Sequence, residues 1–141
     1  MNKQVAELTA STPGEDLAYA PIHSLGAQLR SGERTAATLV DCYLQRIGRL
    51  DNKYHAFVEI YADEARAAAE AADHAFKAGQ ARGPLHGIPI ALKDLIEITG
   101  KRTTGGSMHW RERVSTVTAT VAQRLADAGM ITLGKTHMVE F

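Results

Sequence analysis

The sequence predicts an α/β fold in which helices precede and cover the first strands of a sheet. Three observations predict it. Apolar residues recur at helical spacing through much of 22–78. A short run rich in Phe, Val, Ile and Tyr interrupts those helices at 55–61. The last third reads strand, helix, strand, the order of a βαβ unit whose two strands lie in one sheet.

Up to about Pro21 the chain carries Ser, Thr, Pro and Gly without a clear period and is read as a mobile amino-terminal arm, 1–21. The pattern turns helical at Ser24, which suits an N-cap, with Leu25 and Leu29 four apart and Gly32 placed to close the helix. A second helix starts at Thr35, presents Leu39, Val40, Tyr43, Leu44, Ile47 and Leu50 on one face, and stops at Asp51-Asn52. His55 to Tyr61 reads as a strand. Ala62 to Ala78 is the clearest helix, with nine alanines in seventeen positions, Asp63 and Glu64 at its positively polarised end, and Gly79 as its stop. Asp73 and Lys77 are spaced there for a surface ion pair.

The strand that follows, Gly87-Ile88-Pro89-Ile90-Ala91-Leu92-Lys93, is entered through Gly87 and Pro89, and Pro89 favours a strand start or a sheet edge. Thr116 to Ala128 predicts a helix with Val117, Val121, Leu125 and Ala128 on one face. Met130 to Leu133 predicts a short buried strand.

Lys93 carries the chemistry. A lysine after four or five apolar strand residues either turns out to water or lies buried. Burial penalises its charged form, and a desolvated lysine serves as a general base near neutral pH. Asp94, next in an extended chain, points to the opposite side and cannot pair with it across one face.

Other candidates read as structural. His86, between Leu85 and Gly87, is weighed as a general base and assigned a structural role. His74 has no partner at metal-ligand spacing and reads as a solvated helix histidine. Thr103 to Ser107 offers consecutive N–H groups for an anion nest, a weak signal. Ser107 has neither a nucleophile elbow nor a histidine-acid pair around it and reads as a packing or loop-capping residue. Gly134-Lys135-Thr136 shares three residues with a P-loop, but the residues just before it, Met130 to Leu133, read as a short buried strand and not as a loop that would wrap a phosphate.

Composition narrows the class. Hydrophobic residues make up 45% and charged residues 23%, as in a folded enzyme, and sixteen basic residues balance sixteen acidic ones. That balance argues against an autonomous nucleic-acid binder. Lys101, Arg102, Arg111 and Arg113, interrupted by Glu97 and Glu112, read as a solvated loop surface. The single cysteine, Cys42, forms no internal disulfide and fits a reducing compartment as a packed thiol. With no signal-like or membrane-length apolar run, a cytoplasmic protein is expected.

Four ordered segments resemble the amidase signature family. Gly83 to Ile96 resembles its lysine segment, and Thr103-Thr104-Gly105-Gly106-Ser107 its Thr-Thr-x-Gly-Ser element. Ala119 to Gly129 is similar to the helix that follows. Gly134-Lys135-Thr136-His137-Met138-Val139-Glu140-Phe141 is similar to its Gly-Lys-Thr-Asn-Met-x-Glu-Phe motif, with His137 in place of asparagine. A weaker helical resemblance covers Ile22 to Gly79.

The resemblance implies the amino-terminal part of an amidase signature fold, with helices packed on a mixed β-sheet that is incomplete in this chain. Residues 22–141 are then the amino-terminal portion of an amidase domain, truncated before a serine-rich segment. It implies hydrolysis of a carboxylic amide C–N bond by a Ser-cisSer-Lys triad in which Lys93 is the catalytic lysine, with neither a metal nor an organic cofactor. No Gly-Ser-Ser-Gly-Gly-like segment occurs in the chain, so turnover by the 141 residues alone is not expected. The substrate is expected to be a small-molecule amide, and no membrane partner is expected. Alternatives are the A subunit of a glutamyl-tRNA amidotransferase, or a non-catalytic scaffold or complementation fragment. The chain would then act as a homodimer or with a second chain supplying the catalytic serines.

Overall fold

The computed structural model describes residues 15–141. Most of the arm expected over 1–21 lies outside the described residues. The rest is folded: Glu15–Ala18 form a one-turn helix, α1, and Leu17 is buried in the core. Helix α2 (Ile22–Ser31) begins earlier than the Ser24 cap predicts, because Pro21, held at φ −61, sets its first turn. Gly32 closes it as expected, in the left-handed region at φ 74, its N–H donating to the Leu29 carbonyl.

Helix α3 (Ala36–Tyr54) is capped by Thr35, whose hydroxyl accepts from the Thr38 N–H. Two more of its unbonded N–H groups, those of Ala36 and Ala37, donate to the Asp73 carboxylate at 2.6 and 3.1 Å. Asp73 is therefore a tertiary cap delivered by the neighbouring helix, which displaces the expected pair with Lys77. Helix α3 also runs past Asp51-Asn52. The Asp51 carboxylate accepts from the N–H groups of Ala56 and Phe57, turning the chain beyond the helix, and His55 takes the left-handed C-cap position.

Strand β1 (Phe57–Ile60) and helix α4 (Ala62–Lys77) follow. The alanines do what their size allows: Ala65, Ala69 and Ala72 are buried, and α4 packs closely on both α3 and the sheet. Strand β2 (Pro89–Lys93), a 3-10 turn (Met108–Trp110), helix α5 (Thr120–Asp127) and strand β3 (Ile131–Thr136) complete the described chain. Helix α5 starts later than expected. The Ala119 N–H is taken by the Glu97 carbonyl, and the Thr118 hydroxyl accepts from the Thr99 N–H. Val117 falls before the helix and, like Val121 within it, is exposed, and Ala122 is the buried residue of α5.

The sheet is mixed, in the order β1-β3-β2. Strands β2 and β3 are parallel, joined through α5 as the strand-helix-strand reading requires, and β1 pairs with β3 antiparallel. Pro89 starts β2, and β2 is an outer strand of these three. The core gathers Leu25, Leu29, Leu39, Val40 and Leu44 of α2 and α3, the alanine face of α4, and Ile88, Ile131 and Leu133. Such a face removes apolar surface from water at about 25 cal/mol per Å². Among the described residues no helix is long and apolar enough to cross a membrane.

Candidate active site

Lys93 closes β2, paired across the sheet with Thr136, and its side chain is exposed. Of the two outcomes the chain takes the solvent-facing one, so the burial on which the sequence reading based a desolvated Lys93 is not found among the described residues. The next residue does the reverse, as strand alternation requires. Asp94 is 1% exposed, and all of its polar groups but one side-chain oxygen are hydrogen-bonded. Its N–H donates to the Thr136 carbonyl at 3.0 Å and its carbonyl accepts from the Gly105 N–H at 3.2 Å. Its Oδ2 accepts from both the N–H and the hydroxyl of Thr104. Its Oδ1 accepts no hydrogen bond but lies 3.5 Å from the ammonium nitrogen of Lys135.

The buried lysine is thus Lys135. It is fully sealed from solvent on β3, and its Nζ donates to the Thr103 hydroxyl at 3.0 Å and to the Arg102 carbonyl at 3.3 Å. Burial pushes its ammonium below the ordinary lysine range. The Asp94 carboxylate pulls the other way and only partly offsets that. The Ser115 hydroxyl donates to Thr103 Oγ1, so Asp94, Lys135, Thr103, Thr104 and Ser115 form one buried polar cluster under the end of β2.

This cluster settles the anion nest. The N–H groups of residues 104 to 107 are spent on protein acceptors: Thr104 and Gly105 on Asp94, Gly106 on the Thr104 hydroxyl, and Ser107 on the Thr104 carbonyl. Ser107 caps the 3-10 turn, its hydroxyl accepting from the His109 N–H, which matches the loop-capping reading. Gly134-Lys135-Thr136 is strand, not a phosphate loop. His137 donates its backbone N–H to the Ala56 carbonyl and leaves its ring exposed.

The basic loop residues are neutralised across the fold: Lys101 pairs with Glu64 of α4, Arg102 with Glu59 of β1, and Arg113 with Glu97. His86 is buried and structural, its Nδ1 accepting from the Arg82 N–H at 2.9 Å and its ring 4.9 Å from that of Phe76. Burial, with the Arg82 charge second, holds it below the ordinary histidine range. His74 is exposed. Beside the strand end, Leu95, Trp110, Met138 and Phe141 border an open cleft of about 400 Å³ with Thr103 and Arg113.

Sequence reasoning missed the buried cluster. Its signal was Asp94 directly after an outward lysine, followed ten residues later by adjacent threonines, but nothing local pairs Asp94 with a lysine forty-one positions away.

Helices laid on a mixed sheet, with a lysine presented at the carboxyl end of a parallel strand, define an α/β chain of the kind that gathers its functional groups at strand ends. The family model described as Amidase matches residues 38–141, and the chain belongs to that family. It is 42% identical over 117 residues to the A subunit of the glutamyl-tRNA(Gln) amidotransferase of Thermobifida fusca, covering 83% of this chain and 24% of that protein. It is 43% identical over 125 residues to "Putative amidase AmiB2" of Mycobacterium bovis, covering 89% and 27%. Among solved structures, the native peptide amidase of Stenotrophomonas maltophilia superimposes with a TM-score of 0.81 at 37% identity, over 87% of this chain and 26% of that one. The chain spans about a quarter of the length of the curated relatives it matches.

Proposed function

We propose that the chain carries the lysine of an amide-hydrolysing site, with Lys93 as the general base. The observation that carries this reading is the placement of Lys93: exposed at the carboxyl end of β2, inside the family-matched segment, on a backbone held at both neighbouring peptides. The serines come from outside residues 1–141. In the reaction the Lys93 amine accepts a proton through a bridging serine while the nucleophilic serine oxygen attacks the amide carbonyl. Backbone N–H groups hold the oxyanion, the C–N bond breaks, and the leaving amine takes up the proton. Water then hydrolyses the acyl-serine. No nucleophile or oxyanion loop is formed by the described residues, so the 141 residues alone are expected to show no turnover.

Two measurements test this. Intact mass of the protein purified from its source establishes whether serine-bearing sequence continues the same polypeptide or belongs to a second one. In the complete enzyme, Lys93→Ala should abolish turnover of a simple carboxylic amide while the melting temperature holds. Undiminished turnover would sink the base assignment.

A second reading is favoured by the identity to the Thermobifida fusca protein, named as the A subunit of an amidotransferase. There the same site would release ammonia from glutamine for a second protein of the assembly. Glutaminase activity that appears only when such a partner is added supports it, and full amide hydrolysis without one excludes it.

A further inference from the structure

The ion pair under the strand end is not explained by its contribution to stability alone. A sealed carboxylate-ammonium pair commonly gains no more than the apolar residues that fit the same space. Yet Asp94 and Lys135 are each at most 1% exposed and stand directly beneath the residue at which β2 presents Lys93. The pair also joins three separate pieces of chain. Lys135 belongs to β3, Asp94 follows β2, and Thr103 and Thr104 belong to the loop that ends in the 3-10 turn.

From this geometry we propose that Asp94, locked by Lys135 and Thr104, is a positioning residue that sets where the Lys93 amine stands. The proposal rests on the base reading of Lys93. Lys93 and Asp94 share a peptide unit and face opposite ways, so any backbone rotation that lifts Asp94 out of its socket turns Lys93 with it. Four constraints oppose that rotation: the N–H bond to Thr136, the carbonyl bond from Gly105, the two bonds from Thr104 to Oδ2, and the Lys135 charge at Oδ1. The same Gly105 accepts at its carbonyl from the Phe141 N–H, so the lock extends to the 138–141 segment beside the cleft. A base displaced by about 1 Å loses roughly a hundredfold in rate while substrate binding elsewhere is untouched.

The test uses the complete enzyme with a simple carboxylic amide and counts active sites by taking serine labelling with a fluorophosphonate to completion. Asp94→Asn should lower kcat at least tenfold per labelled site with KM within twofold, the pattern of a group that acts only as the transition state forms. Thr104→Val removes one bond to Oδ2, together with the acceptor of the Gly106 N–H, at nearly unchanged shape and should lower kcat severalfold, again at constant KM. This variant decides the matter if Asp94→Asn does not fold. In Asp94→Asn with Lys135→Gln, a neutral amide pair refills the socket and should return kcat to within about threefold of the parent. Wild-type kcat per labelled site in Thr104→Val and in folded Asp94→Asn overturns the positioning role. Lys93→Ala, run alongside, separates the two readings. If it is inactive while the Asp94 and Thr104 variants are fully active, the positioning inference falls alone; if it is active, the base reading falls and takes the inference with it.

Discussion

The Lys135 ammonium nitrogen and the Asp94 Oδ1 stand 3.5 Å apart, with both side chains sealed from solvent beneath the end of β2. Removing one partner leaves the other as an uncompensated buried charge, whose cost exceeds what the intact pair contributed. Asp94→Ala should therefore destabilise the fold by about 3–5 kcal/mol. Asp94→Asn combined with Lys135→Gln should recover most of that loss. Urea denaturation near neutral pH measures both, and equal stabilities for the single and double variants would contradict the pairing.

The same lysine gives an alkaline signature. Burial holds its pKa below the ordinary 10.5 that it regains on unfolding. Between those two values the unfolded chain binds a proton that the folded chain does not, so stability rises with pH on that account. Below the folded pKa the lysine is charged in both states and contributes no slope. Stability curves of the parent and of Lys135→Met should thus diverge as pH climbs toward 10.5, the parent gaining relative to the variant. Parallel curves would mean that Lys135 is not desolvated.

How far the sequence reached depends on the range over which each signal acts. The Gly32 stop, the Thr35 cap and the alanine helix follow from residues within a turn of one another, and each stands where local chemistry puts it. Signals that act across the fold were read wrongly or missed. Asp73 looked like the partner of Lys77 because spacing sees only its own helix, whereas the α3 N-terminus offers it two N–H donors. Asp51 looked like a helix stop but caps the following turn from within the helix. At the site, a lysine at a strand end was legible because Lys93 ends an apolar run, but which way it turns was not. Nor was the identity of the buried one, since Lys135 looks like a solvated motif residue until Thr103, Arg102 and Asp94 close around it.

The cap on α3 can be tested separately. Asp73→Ala removes the acceptor for two N–H groups and should cost about 1–2 kcal/mol, as loss of a good N-cap does. Lys77→Ala should change stability by less than about 0.5 kcal/mol, because its side chain is on an exposed helix end. A larger loss in Lys77→Ala than in Asp73→Ala would restore the helix-surface pair.

His86 sets an acid limit. Burial and the Arg82 charge hold it below its ordinary 6.5, so between its folded pKa and 6.5 the unfolded chain is protonated and the folded one neutral. Stability from this group is complete above 6.5 and is lost as pH falls from there through the folded value. Its Nδ1 accepts from the Arg82 N–H, and protonation would remove that acceptor. His86→Gln should flatten the slope of unfolding free energy as pH falls below 6.5, and an unchanged slope would assign the acid sensitivity elsewhere.

Gly134, one of the three residues shared with phosphate loops, lies at a distorted point of the central strand. Both neighbours of β3 shift register beside it, β2 between Ile90 and Ala91 and β1 between Phe57 and Glu59. The central strand therefore carries an irregularity at the position immediately before Lys135. A Cβ built there would overlap the Glu59 carbonyl oxygen and press on the Ile60 Cα, both backbone atoms with no rotamer to yield. Relief requires β1 to move away, and that movement also draws Glu59 from Arg102, whose carbonyl accepts from Lys135. Gly134→Ala should accordingly be among the most damaging single changes in the sheet, more than about 3 kcal/mol, within the range of severe backbone and packing clashes. Gly48→Ala meets nothing within 4 Å on helix α3 and should be neutral or slightly stabilising through helix propensity. Chemical denaturation of the two variants side by side gives the comparison, and a small loss for Gly134→Ala would show that β1 yields at this point and that the β1–β3 contact does not hold Lys135 in place.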